Sequence, residues 1–504
     1  MLKSRCLIAV CLFAQLFGAS LCSSANATDD ARALITAGYR QLFLDDAMVA
    51  EIDGLRRVVH QPKKYKENPI IRHHQTPWQG FRAQLYGTVL YIPAEKKFKM
   101  WYLSGARFPD EEPIRVNGRL VCPNFQLLAY AESDNGFHWR LPELGLVDFN
   151  GSKENNLCRI SRENAEGVGV LYDPHDPDAQ RRYKAFYWEH DNCGPRQFDP
   201  TTPVNAMSVS FSPDGKSWTD HPGNPVIPQP SDTGHQALYD SHLGKYVVYG
   251  RFGAGGRKVA RSESDDFVHW TPSKRVFETD AEDGPGAQFY GMGTTIYEGV
   301  YVGLPWMYWA ETTQRMDVQL ATSRDGIHWE RAGDRQTFMP NGPKGSWDGG
   351  CIFTAAQPVQ RVGDKIFIFY SALKLTHEEE RPSRQERGSY GESSIGVATL
   401  RRDGFLSLTP YFHEGSITTK PLSLPEGTLR VNADVADDGE VRVTVLGEDG
   451  VVLAESQPVS GDQLDAAVSF DKPLPVGHTV SLRFVLRKSH LYAYWFTKQG
   501  RISR

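Results

Sequence analysis

The chain has 504 residues, 40% hydrophobic and 23% charged, with a net charge of -5. That length supports two or three domains with sizeable cores, and the composition is that of a globular chain. The small negative charge excludes a global basic field for nucleic acid or an anionic membrane surface.

The first 27 residues read as an export signal. Lys3 and Arg5 form a positive n-region, Cys6 to Leu21 an apolar core, and Ala25-Asn26-Ala27 a cleavage site. A mature chain beginning near Thr28 and secreted or periplasmic is therefore expected, with no later run apolar enough to span a bilayer. Cys122, Cys158, Cys193 and Cys351 remain after cleavage. They allow up to two disulfides, whose pairing stays open. No C-x-x-C or clustered Cys/His pattern suggests structural zinc, and no cofactor or metal is expected.

Residues 28–53 form an N-terminal segment in which Asp45 and Asp46 end a short strand and suit a helix cap. Next come Gly54 to His60 and Asn68-Pro-Ile-Ile71. The latter matches Asn224-Pro-Val-Ile227, far along the chain. The match predicts that residues 54–71 form the outer strand of a repeat whose other strands lie at the distant end.

Four stretches repeat a turn of the form S-x-D-G-x-x-W. They are Ser133 to Trp139, Ser212 to Trp218, Ser264 to Trp270 and Ser323 to Trp329. Each follows a strand-like run, and each suits a tight hairpin, because Gly accepts positive φ and Asp bonds its own backbone. Four copies at comparable spacing predict an array of antiparallel sheets. Five sets of strands can be laid along residues 54–413. Their inner strands are Leu85 to Tyr91, Gly167 to Tyr172, His235 to Tyr239, Tyr290 to Tyr297 and Ile352 to Val359. Arg401-Arg-Asp-Gly404 is a degraded fifth hairpin. Residues 414–425 read as a linker, and 426–504 alternate as a small β-sandwich. The predicted fold is all-β: a five-bladed β-propeller followed by a C-terminal β-sandwich.

With those hairpins, Tyr183-Lys-Ala-Phe-Tyr187 and the C-terminal strands, the chain resembles the five-bladed propeller superfamily of invertases, levansucrases and arabinanases. A propeller followed by a sandwich is closest in architecture to family 32 glycoside hydrolases. The resemblance implies hydrolysis of glycosidic bonds by carboxylates at the mouth of the central channel. That family's nucleophile, Arg-Asp-Pro and acid motifs are not intact here. Tyr172-Asp173-Pro174 echoes the second.

In a propeller, loops leading into the inner strands surround one axis, so distant carboxylates converge. Glycoside hydrolysis needs two. Asp348, between Trp347 and two glycines, is the first candidate, with a turn Asp as the alternative. Asp232 follows, with His235 close enough to orient it, and then Asp283, which precedes Gly284-Pro285. Glu154 is a further acid, or a solvated surface residue. Trp78 and Trp347 could stack on a sugar, although core packing is the default for Trp. Arg82 and Asn155 could hold hydroxyls or an acidic substituent. The expected partner is a poly- or oligosaccharide, not nucleic acid. A carbohydrate-binding propeller without catalysis is the alternative, and Asp348 and Asp232 facing one pocket would favour the enzyme.

Overall fold

A computed structural model describes residues 27–105, 114–121, 125–160, 164–190, 206–253, 255–379 and 392–497. The expected export signal and Cys122 and Cys193 lie outside the described residues. Cys158 is buried and forms no disulfide. Among the described residues no helix is long and apolar enough to cross a membrane. The chain is nearly all β and forms two compact units: Gln61–Tyr297 with Tyr301–Arg402, and Met1–His60 with Glu298–Val300 and Asp403–Arg504.

In the unit of residues 61–402 the strands form antiparallel sets of similar plan. Arg82–Ile92 pairs with Lys97–Gly105, which pairs with Gln126–Ser133. Asn164–Tyr172, Tyr183–His190, Ala206–Ser212 and Thr219–Asp220 make the second set. Gln236–Asp240, Lys245–Gly250, Val259–Ser264 and Lys274–Phe277 make the third. In the fourth, Ala287–Tyr297 pairs with Val300–Trp309, and the next strand is split into Met316–Gln319 and Ala321–Ser323. The fifth is Cys351–Val362, Lys365–Leu373 and Ser393–Arg401, completed by Lys63–Lys64 from the start of the unit.

That last pairing gives the Asn-Pro match a physical meaning. The Asn68 amide donates to Val397 O (2.9 Å) and accepts from Val397 N (3.0 Å). The Asn224 amide does the same to Val209 O (2.9 Å) and Val209 N (3.0 Å). Each amide stands in for a backbone ladder at the sheet edge. The expectation for 54–71 holds for its second half only. Leu55–Val59 pairs with Leu406–Pro410, in the other unit.

Strand alternation sends side chains into two cores at once, as a sheet covered on both faces requires. Phe98, Met100 and Tyr102 pack with Phe369, Ile395 and Val397 of the fifth set. Trp101, between them, packs with Val168, Val170 and Tyr187 of the second. Phe186 and Val209 meet Ala237 and Val248, and Val247 and Tyr249 meet Tyr301 and Met307. The first strands of successive sets also touch. Val170 N donates to Thr88 Oγ1 (2.9 Å), and Thr233 Oγ1 to Tyr290 O (3.2 Å). Val359 N donates to Thr295 Oγ1 (3.4 Å), and Tyr91 N to Gln360 Oε1 (2.9 Å). Close approach requires glycine: a Cβ on Gly169 would stand 2.3 Å from His235 O.

The other unit is one hydrogen-bonded sheet around Thr428–Leu446 and Thr479–Thr497, paired from Thr428↔Thr497 to Leu446↔Ser481. Val49–Asp53 joins it through Glu414–Thr419, so residues expected as a linker and as a separate N-terminal segment are strands of this sheet. Asp403, expected in a degraded hairpin turn, is fully buried at φ 62° and pairs with Arg40 at 2.7 Å.

Candidate functional site

The hairpin carboxylates are structural. Asp214, Asp266 and Asp325 each accept two backbone N–H bonds from the turn they open, at 2.8–3.1 Å. Asn135 fills the same place in the first copy. Gly136, Gly215 and Gly326 adopt φ of 78°, 76° and 71° as the turn needs, and Phe267 takes that conformation in the third copy. Burial raises the Asp266 pKa. The His269 N–H and ring, the Val268 N–H and the Ser264 hydroxyl outweigh it and hold the carboxylate well below its usual range.

The opposite end of the sheets, where the first strands begin and the second strands end, holds the carboxylates singled out in the sequence. Asp348 is buried, its Oδ2 2.6 Å from Lys64 Nζ and its Oδ1 2.9 Å from Ser346 Oγ. Trp347 stacks on Tyr370 (5.5 Å, 28°). Asp283 is buried between Arg331 (2.9 Å) and Arg335 (2.9 Å) and closes a capping box with Asp280. Both carboxylates are held as ion-pair partners. Asp232 is exposed and pairs with Arg251. Among the described residues Asp232 and Asp348 share no bonding partner.

The proposed ligand residues divide in the same way. Trp78 donates to Asn156 Oδ1 (2.7 Å) and packs edge-on to Phe149 (6.2 Å). Asn155 is buried and braces its own loop through Val147 O (2.8 Å) and Leu157 N (3.1 Å). Glu154 is exposed. Arg82 is buried, its guanidinium 5.2 Å from the Phe81 ring centre. His235 is fully buried, with Nδ1 2.6 Å from Gly167 O and Nε2 3.1 Å from Ser231 O. Two carbonyl acceptors suit an imidazolium, yet burial outweighs them and pushes its pKa down to about 4.

One constellation joins several sets. Tyr86, near the start of Arg82–Ile92, is buried, stacks on Trp306 (5.8 Å, 15°) and meets Phe353 edge-on (5.4 Å). Burial pushes its hydroxyl pKa well up. Tyr290, Glu166 and Asp232 push the same way, and Arg251 opposes them. Groups from the second, third and fourth sets therefore lie near one phenol of the first. The Arg251 guanidinium lies 5.1 Å from the Tyr290 ring centre, and Arg257 lies 4.9 Å from Tyr290 and 5.1 Å from Tyr308. Tyr308 Oη is 3.2 Å from His377 Nδ1.

Glu166 escapes a search of the loops because its strand, Asn164–Tyr172, begins three residues before the apolar run from Gly167. The ladder shifts register between Glu166 and Gly169, as it does between Gln84 and Thr88 and between Thr354 and Val359. Such bulges redirect side chains at strand ends. A Glu followed by alternating glycines, Glu166-Gly-Val-Gly169, was the available signal. Asp317, beside Trp309 and Thr337, has its pKa pushed up to about 6 by burial.

No known protein family and no curated protein matches the sequence. Solved structures do resemble the fold. A glycoside hydrolase family 43 arabinoxylan arabinofuranohydrolase from Bacillus subtilis is 12% identical with TM-score 0.42, covering 87% of this chain and 99% of its own. A fructofuranosidase variant from Schwanniomyces occidentalis complexed with fructosylnystose is 11% identical with TM-score 0.41, covering 87% and 98%. A β-1,2-mannobiose phosphorylase from Listeria innocua is 12% identical with TM-score 0.45, covering 68% and 97%.

Proposed function

We propose that residues 61–402 form a five-bladed β-propeller and that the chain is an exported glycoside hydrolase acting on an oligo- or polysaccharide. Glu166 and Asp232 are its working carboxylates. The observation that carries this reading is placement: Glu166 and Asp232 come from two different sets at the same end of the sheets, both near the buried Tyr86, with Asp232 exposed beside Arg251. The succession of contacts Thr88–Val170, Gly167–His235, Thr233–Tyr290, Thr295–Val359 and Gln360–Tyr91 supports a ring of five inner strands. The other unit is proposed as a β-sandwich, its sheet folding over near the register shifts at Asn432/Ala433 and Val435/Glu440.

In glycoside hydrolysis one carboxyl protonates the leaving oxygen while the other attacks the anomeric carbon or activates water. Glu166 and Asp232 supply the pair. Arg251 fixes the position of Asp232. Tyr290 and the Arg257 stacked on it offer an aromatic face and donors to a sugar ring. Asp283 and Asp348 are assigned to holding the loops around that pair.

The test is release of reducing ends from a panel of neutral and acidic polysaccharides. The wild-type protein should cleave at least one, and Glu166→Gln and Asp232→Asn should each lose about 10²–10⁴-fold in rate. Undiminished cleavage by both folded variants would reject the assignment. Saccharide binding without cleavage would favour the non-catalytic reading, since Asp232 is already paired with Arg251. Export is checked separately by N-terminal sequencing of extracytoplasmic protein, expected to start near Thr28.

A further inference from the structure

We infer that His73, His74 and Glu392 form a binding site for a divalent transition-metal ion of the zinc type. His73 and His74 lie on the loop before Arg82–Ile92, and Glu392 stands immediately before Ser393–Arg401. His73 Nε2 is 3.5 Å from Glu392 Oε2, and His74 Nε2 is 3.9 Å from Glu392 Oε1. The donor atoms all lie within 4.8 Å of one another. Four ligands placed tetrahedrally about 2.0–2.1 Å from zinc stand about 3.3 Å apart. The three donors therefore need a contraction of a few tenths of an ångström to at most about 1.5 Å to enclose an ion.

Neighbouring residues in an extended chain point their side chains apart. Here His74 takes φ 56°, and the two rings meet edge-on with centroids 4.9 Å apart. The conformation is uncommon for a residue other than glycine. The loop is pinned by His74 N donating to Gln79 O (3.2 Å) and Gly80 O (3.0 Å). The His73 ring is oriented from behind, its Nδ1 2.9 Å from Ser394 Oγ. With the Nδ1 proton given to that hydroxyl, the Nε2 lone pair is left for a cation, the arrangement that orients histidine ligands in metal sites.

Two imidazoles and one carboxylate suit zinc and its first-row neighbours, whereas calcium and magnesium prefer all-oxygen shells. His74 and Glu392 are both about half exposed, which leaves the remaining coordination positions open to water or a ligand. The site uses none of the residues assigned to glycoside hydrolysis and stands without that assignment.

The experiment is a competition titration of untagged, chelator-treated full-length protein with Zn²⁺ against a chromophoric chelator. One equivalent should bind, unaffected by millimolar Ca²⁺ or Mg²⁺. His74→Ala and Glu392→Gln, both at exposed positions, should each weaken binding at least about tenfold with unchanged circular dichroism. Absence of zinc binding by the wild-type protein, or affinity unchanged in both variants, would overturn the assignment.

Discussion

The two ends of the sheets in residues 61–402 treat acidic residues in opposite ways. At the hairpin end, Asp214, Asp266 and Asp325 occupy the same place and are bound by backbone N–H groups of their own turn. At the other end, the four acids considered for the site each meet a different environment. Asp348 is met by a lysine, Asp283 by two arginines and Asp232 by one, and Glu166 sits on a strand at a register shift. A carboxylate satisfied by local backbone can be copied from turn to turn. A carboxylate satisfied from a distant strand depends on what that strand brings, so each such site is individual.

The sharpest break between the two ends is catalytic. Glu166→Gln should reduce glycoside cleavage about 10²–10⁴-fold. Asp214→Asn at the hairpin end should leave the rate unchanged, because Asn also caps such turns. Steady-state rates on one substrate compare the two directly.

Next in size is the buried cluster. Asp283→Asn leaves Arg331, which is 6% exposed, without its carboxylate. A loss of about 3–5 kcal/mol is expected, read from the urea midpoint at constant m-value.

Asp317 should act with the opposite sign. Its folded pKa of about 6 lies above the ordinary value, so the folded state binds the extra proton. Its contribution is present below about pH 4 and is lost as pH rises through 6. Asp317→Asn should therefore stabilise the protein at pH 7 by about 2 kcal/mol and leave stability near pH 4 unchanged. Denaturant midpoints at both values check it.

Asn68→Ala and Asn224→Ala should each cost about 1–3 kcal/mol, since each removes a two-bond amide bridge. Equal losses are expected although the two residues bind strands at opposite distances in sequence. A loss confined to Asn224 would break the equivalence.

The smallest effect tests the hairpin end by pH. The Asp266 pKa is depressed when folded. Its contribution is present above the unfolded value near about 3.9 and is lost as pH falls through the folded one. Asp266→Asn should keep stability at pH 7 within about 0.5 kcal/mol and flatten the acid limb below pH 4, as seen by acid titration of circular dichroism.

The sequence by itself determined what is local and periodic. Alternation fixed the strands, because side chains on a pleated chain point to opposite faces. Ser, Asp and Gly at fixed offsets fixed the hairpins, because those turns are closed by their own residues. The Asn-Pro match located a long-range pairing, because the same amide bridge recurs at Val397 and Val209. Which loop carboxylates are available was decided only by tertiary structure. Asp348, Asp283 and Asp232 look alike in sequence and each meets a cation, but Asp348 and Asp283 are buried against Lys64, Arg331 and Arg335, whereas Asp232 stays exposed beside Arg251. The His73-His74 pair and Glu392 are more than 300 residues apart in sequence, and only the packing of the first and fifth sets brings them together. The unit boundary was equally hidden, since residues 55–59 alternate like any strand and their partner, Leu406–Pro410, is chosen by the folded sheet.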